Sequence, residues 1–362
     1  MAGKSTSFDV IVAGGGPAGC AAAIGCSLRG LRTLLLEASV SAVKRPGETL
    51  PPGIETLFRS LHVDVAINQA GFVRHPGYVV RSGRDFSIQR YGADARGEWL
   101  GYQADRAELN RLLLAQAIAS GARVSRPEKA IKPIVKGGEV RGVATASREY
   151  SSAFVVDGSG PSHWLAVQLG LPVWRVSPRL VARYGWIELP GDPAPQALLP
   201  EFRIDGCAWR WTAPVGANRY AWVHLALGTD RQAAPPCPEP AASLVRRSRA
   251  RASDVTWRVV RPCAGPGYFL AGDAACVLDP ASSHGVLKAI ASGMAAAEAV
   301  ARALETPASG NDAAATYCRG VEEWFCRDAE ALVSLYGRTK SPPPWLTAAS
   351  ASVRYILRYP SA

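Results

Sequence analysis

Phe8-Asp9-Val10-Ile11-Val12-Ala13-Gly14-Gly15-Gly16-Pro17-Ala18-Gly19 decides the architecture of this chain. A short β-rich run, Phe8–Ala13, enters a glycine turn, and a run of small residues from about Pro17 to Leu28 reads as a helix that Gly30 stops. Thr33-Leu34-Leu35-Leu36 is the next strand and ends on Glu37. The spacing Gly14-x-Gly16-x-x-Gly19 has a physical purpose. The first glycine permits the tight turn, the second lets backbone N–H groups approach a diphosphate, and the third lets helix and strand pack closely. Phosphates then lie against Gly16, Pro17, Ala18 and Gly19, where unpaired N–H groups and the helix dipole favour negative charge. Glu37 is placed to accept hydrogen bonds from an adenosine ribose. The pattern implies a dinucleotide site on a Rossmann-like sheet.

A second stretch selects the dinucleotide. Gly272-Asp273-x6-Pro280 follows a buried strand, Tyr268–Ala271, and precedes a long Ala-rich helix from about Gly285 to Leu304. Asp273 suits the ribityl hydroxyls of a flavin. The helix start at His284-Gly285-Val286 would face the pyrimidine edge of the ring, where the dipole stabilises the anionic reduced form. The two motifs stand roughly 250 residues apart across an inserted segment, which suits one extended FAD and not an NAD half-domain.

The rest of the chain fits around these two motifs. At 362 residues it exceeds the roughly 250–300 at which a single core stops growing, so two lobes are expected. Asp105 caps a helix, with Glu108 completing a capping box and Gly121 ending it. Lys129–Val135 and Glu139–Ala146 form a hairpin on Gly137-Gly138. The texture from Trp174 to Pro262 is rich in Trp and Pro, with strands near 179–189 and 220–227, and marks the second lobe. The expected fold is α/β: a discontinuous three-layer FAD-binding domain (1–75, 100–172 and 264–306), an inserted, mainly antiparallel β-sheet substrate domain (76–99 and 173–263), and a C-terminal helical segment (307–362). The aromatic and basic tail Trp345–Tyr359 is read as a helix packed on the lobe interface.

Composition excludes several classes. A hydrophobic fraction of 48% and a charged fraction of 20% rule out disorder. No apolar run reaches transmembrane length, and no signal-peptide core precedes Phe8, so a cytoplasmic protein is expected. The formal net charge is +11, with arginines scattered apart from one cluster at Arg246, Arg247, Arg249 and Arg251; no nucleic-acid-binding signature accompanies them, and a soluble arginine-rich surface is expected. The eight cysteines show no CxxC pair and no metal-ligand grouping, so buried thiols and no metal site are expected.

With these motifs in hand the chain resembles the FAD-dependent monooxygenase, halogenase and geranylgeranyl-reductase superfamily, with its glutathione-reductase-type FAD fold. Arg45-Pro46-Gly47-Glu48-Thr49-Leu50-Pro51-Pro52, Tyr102-x-x-Asp105-Arg106-x-x-Leu109, Asp157-Gly158-Ser159-Gly160, Trp209-x-Trp211-x-x-Pro214 and Asp279–Gly285 look most like the branch of tryptophan halogenases and of flavoproteins that mature tryptophylquinone cofactors. The resemblance implies FAD held by Gly14, Gly16, Pro17, Ala18, Gly19, Glu37, Arg45, Arg106 and Asp273, with Gly285 and Val286 along the ring. It implies substrate contacts at Trp209, Trp211 and Pro280, although the two tryptophans read equally well as lobe core. The lysine that halogenases of this branch use is missing from Gly71–Gly77, and Ala213 replaces an isoleucine of their WxWxIP motif. No catalytic base is assigned; Arg74, His75 and His284 are the candidates for steering or protonation near the flavin.

The expected activity is FAD-dependent hydroxylation of an indole or tryptophan ring, free or borne on a protein or peptide, through a flavin C4a-hydroperoxide. The reductant is NAD(P)H or reduced flavin from a separate reductase. The rival readings are a flavin-dependent halogenase, a geranylgeranyl-reductase-like alkene reductase, and a flavin-free binder of the prenyl-protein escort type.

Overall fold

The computed structural model describes residues 7–40, 48–188, 199–216, 218–228, 246–306 and 310–361. Arg45, read above as an FAD contact, lies outside them. Two eight-stranded sheets organise the chain. The first is built on the nucleotide motif. Ser7–Ala13 runs parallel to Thr33–Leu36 on one side and to Glu149–Asp157 on the other, and Arg123–Ser125 extends the parallel set. Tyr268–Leu270 adds a further parallel strand beside Val155, Val156 and Asp157. The hairpin strands Lys132–Lys136 and Glu139–Ala144, and the short strand Ala264–Gly265 beside Tyr268–Leu270, complete the sheet in antiparallel fashion. Both hairpin-turn glycines have φ > 0, as that tight connection requires.

The continuous apolar run of Val10, Ile11 and Val12 marks a strand buried on both faces, and all three are fully buried. On one face the helix Pro17–Ser27 lies against the helix Gly285–Glu305. Their alanines and glycines allow this. A Cβ added at Gly293 would stand 2.2 Å from the Ala18 carbonyl oxygen. Small residues thus bring the two helices that carry the two motifs into direct backbone contact.

The second sheet takes strands from both sides of the nucleotide segment: Gly77–Ser82, Asp85–Arg90, Val181–Glu188, Glu201–Asp205, Ala208–Pro214, Arg219–Ala226, Arg246–Arg247 and Arg251–Asp254. Its pairings are antiparallel except where Glu201–Asp205 meets Gly77–Ser82. Ala182, Phe202, Trp209 and Leu225 point to one face. There they share a core with Trp257 and with the helices Gly310–Gly337 and Leu346–Arg358. The C-terminal helix buries Leu346, Ala349, Val353 and Ile356 on that core, so the aromatic and basic tail packs against the molecule.

One local expectation is met only by half. The Asp105 carboxylate accepts hydrogen bonds from Ala107 N (2.9 Å) and Glu108 N (3.0 Å). Glu108 does not reach back; it binds Arg111 instead, at 2.6 and 2.7 Å. Asp105 already satisfies the first-turn donors, which leaves Glu108 free for the surface arginine.

Candidate cofactor and substrate site

A single cavity of about 1230 Å³ joins the two motifs. One end is lined by Gly14, Gly15, Gly16, Pro17, Ala18 and Glu37, and the other by Asp273, Leu278, Pro280, Gly285 and Val286. Arg106 contributes to the wall from the start of its helix and is buried, with its Nε donating to Asn110 Oδ1 at 3.1 Å.

The glycines at the first end do different jobs. Gly14 has φ +103°, and a Cβ there would meet the Gly158 carbonyl oxygen at 2.6 Å. A Cβ on Gly19 would fall 1.8 Å from the Gly14 oxygen. Gly16 is the exception, since a Cβ there meets no protein atom within 4 Å. Its open side belongs to the cavity wall, beside a helix that no side chain caps. That is the geometry a diphosphate needs. Glu37 accepts from Gly15 N and Ser39 N, both at 2.6 Å, which fixes its carboxylate at the edge of the turn.

Buried acids hold the loops around the cavity. Asp157 accepts from Ser159 N and Leu165 N at 2.8 Å and so shapes the Gly158–Pro161 segment against Gly14. Burial raises its pKa. Arg258, also buried, donates to His163 Nε2 at 2.7 Å and to the Pro161 carbonyl at 3.2 Å, bracing the same segment from behind. Asp279 supports the other end. It accepts from Trp257 Nε1 and the Tyr336 hydroxyl at 2.8 Å and from Ala281 N at 3.0 Å. Tyr336 in turn accepts from Trp209 Nε1 at 2.9 Å. Complete burial pushes the Asp279 carboxyl up to about 6.

The third wall is the inner face of the second sheet, where Ala182, Tyr184, Phe202, Trp209, Trp211 and Val223 line the cavity. Trp209 is only 1% exposed and belongs to the lobe core as well as to the wall. Trp211 is half-buried. Its Nε1 donates to Thr49 Oγ1 at 2.9 Å, and its ring packs obliquely on Tyr78 and Phe202. Tyr184 and Arg258 were not among the residues singled out from sequence, and Asp157 appeared there only as the first residue of the Asp157–Gly160 motif. The strict alternation of Ala182, Tyr184 and Trp186 was the available signal for Tyr184.

The three candidates for steering or protonation lie outside this lining. His75 is buried, its Nδ1 against the Gly77 carbonyl at 2.8 Å and its Nε2 against Gln103 at 3.2 Å. Burial lowers its pKa, which favours the neutral ring. Arg74 lies 3.9 Å over the Tyr102 ring and pairs with Glu55 at 2.6 Å. His284 faces outward to Asp328 at 3.0 Å, and Asp328 also pairs with Lys288. The fold uses all three as local braces.

These features fit FAD. An open glycine turn, a fixed acid at the next strand end and a second strand–loop–helix share one elongated cavity, which defines an FAD-dependent oxidoreductase. Comparison with known proteins agrees. The profile of the FAD binding domain family matches residues 9–43. A digeranylgeranylglycerophospholipid reductase from Methanosphaerula palustris is 26% identical over 337 residues, covering 86% of this chain and 81% of that protein. The myxobacterial chondrochloren halogenase CndH superposes with a TM-score of 0.84 at 22% identity, over 98% of this chain and 89% of that one. The peptidyl tryptophan dihydroxylase QhpG superposes with a TM-score of 0.71 at 18% identity, over 95% and 79%. The chain thus carries an FAD-binding-domain match at its N-terminal motif and shares the fold of flavin-dependent halogenases and of a peptidyl tryptophan dihydroxylase. Among the described residues no helix is long and apolar enough to cross a membrane.

Proposed function

We propose that this protein is an FAD-dependent monooxygenase that hydroxylates an electron-rich aromatic ring, an indole or a tryptophan side chain, free or carried on a peptide. The observation that carries the reading is the placement of Trp211 and Tyr184 on a sheet face that closes the same cavity as Gly285 and Val286. An aromatic wall of this kind offers a flat ring a face to stack on and keeps water away.

The chemistry supplied by the bound flavin is reductive activation of dioxygen and delivery of one oxygen atom to carbon. The chain's own residues bind and orient. The Gly14–Gly19 turn and Arg106 would hold the diphosphate, Glu37 the ribose and Asp273 the ribityl chain. The helix beginning at Gly285 would present its N-terminal N–H groups to the ring edge. Thr49 fixes the Trp211 indole by the 2.9 Å hydrogen bond, and the Asp279–Tyr336–Trp209 network sets the floor.

Hydroxylation is favoured over halogenation by one feature. Lys129 is the only lysine among the described lining residues, and it stands close after Arg126 and Glu128, four residues past the strand Arg123–Ser125 that pairs with the one ending before Glu37. The test is to supply the FAD-loaded protein with reduced flavin and air, a panel of indoles and tryptophan peptides, and chloride or bromide. A mass gain of one oxygen atom that ignores halide supports the reading. A halogenated product, or anaerobic hydrogenation of an isoprenoid alkene with no oxygenated indole, overturns it.

A further inference from the structure

A second cavity, of about 510 Å³, opens next to the first and is lined by Trp186, Arg219, Ser248, Arg249, Ala250 and Arg251. Three of its six described lining residues are arginines, and none is acidic. The sheet register places it. Tyr184 and Ser253 line the first cavity, and their neighbours two residues on, Trp186 and Arg251, line the second. Residues two apart on a strand share a face and stand roughly 7 Å apart. The two cavities are therefore consecutive stations on one face, with Arg251 directly opposite Tyr184 in the ladder.

The arginines are held in place. The Arg219 guanidinium lies 5.2 Å above the Trp186 ring. Ser248 Oγ accepts a hydrogen bond from Trp186 N at 2.8 Å, which anchors the 248–250 link between two edge strands. Glu188 stands opposite Arg219 but forms no ion pair among the described residues, and neither do Arg219 and Arg249. Three arginines and one aromatic ring line this cavity, with no carboxylate among its described lining residues, and make a receptor for an anionic group. Arginine offers a forked donor set that matches a carboxylate or a phosphate.

We propose that Arg219, Arg249 and Arg251 bind an anionic group, a carboxylate or a phosphate, on the aromatic substrate whose ring lies against Tyr184 and Trp211. This rests on the aromatic-substrate reading above and narrows it: the preferred substrate is an aromatic acid or phosphate ester, not a neutral ring.

Equilibrium dialysis of the FAD-loaded full chain against three probes tests this: indole, indole-3-acetate and indoxyl phosphate. Low salt is used first, then high salt. The charged probes are expected to bind roughly tenfold more tightly than indole, the value of one or two charge-assisted hydrogen bonds. Added salt should narrow that gap. The double variant Arg219→Ala/Arg249→Ala should abolish it while leaving indole binding and the far-ultraviolet spectrum unchanged, since both side chains are exposed. Arg219→Lys/Arg249→Lys should restore part of it. The better of the two charged probes identifies carboxylate or phosphate as the group. Equal binding of all three probes, or a gap that survives the double alanine variant, overturns the anion site and leaves the aromatic reading standing. Arginine-dependent binding of the charged probes with no binding of indole supports the anion site and overturns indole as the ring. Binding of none overturns both.

Discussion

Gly16→Ala separates the two reasons for a glycine in the dinucleotide turn. Gly16 has φ −75° and ψ −179°, a conformation any residue adopts. A Cβ there touches no protein atom, whereas a Cβ on Gly19 collides with the Gly14 carbonyl at 1.8 Å. The flavin-free Gly16→Ala protein should therefore be as stable as the parent or gain roughly 0.4–1 kcal/mol from a stiffer unfolded chain. The added methyl enters the space assigned to the diphosphate. Overpacking of this kind costs about 1–3 kcal/mol, which weakens FAD roughly 5- to 150-fold. Thermal melts with and without FAD read both quantities: the apoprotein Tm holds, and the stabilisation by FAD shrinks as mass action requires. Gly19→Ala is the contrast and should lower the apoprotein Tm itself. Undiminished FAD affinity in Gly16→Ala would refute the placement of the diphosphate.

Three further outcomes are expected. Asp279 has a carboxyl raised from 3.8 to about 6, so its protonated form favours the folded state. That contribution is complete only below the unfolded value of 3.8 and is lost as pH rises through 6; the stability difference between the parent and Asp279→Asn should fall by about 2 kcal/mol from pH 4 to pH 7 in denaturant titrations. Trp211→Phe removes the bond to Thr49 and part of the aromatic wall. It should keep its flavin while KM for an indole rises about three- to tenfold, the worth of an aromatic contact, as steady-state oxygen uptake would record. Glu37→Ala loses the acceptor for Gly15 N and Ser39 N and should weaken FAD roughly tenfold or more by flavin fluorescence titration.

What the sequence made legible was local chemistry. The strand before Gly14, the helix after it, the Gly137-Gly138 hairpin and the long helix from Gly285 follow from periodicity and turn residues a few positions apart. Glu37 was readable because its partner turn lies one strand away. The supports of the site were not. Asp279 depends on Trp257 and on Tyr336, which is 57 residues further on, and no spacing rule links a buried acid to a tyrosine on a distant helix. Arg258 reaches His163 across 95 residues. His75 was misleading for the opposite reason. Its position near a flavin motif suggested chemistry, but pairing of Val73–His75 with Gly101–Ala104 turns its ring into the protein, against Gln103. Arg249 and Arg251 stand in a basic cluster visible in the sequence, but Trp186 and Arg219 come from two other strands, and no spacing rule brings them to the same face.

The discontinuity of the first sheet bears on how the protein is made. The turn at Gly14 emerges early in synthesis, but its sheet gains Tyr268–Leu270, and its cavity gains Asp273, Gly285 and Val286, only after three quarters of the chain has been translated. A nascent polypeptide stopped before residue 268 owns the diphosphate loop without the partner that grips the ring. Flavin insertion is thereby deferred to the last stage of biosynthesis, and a prematurely released fragment should emerge colourless.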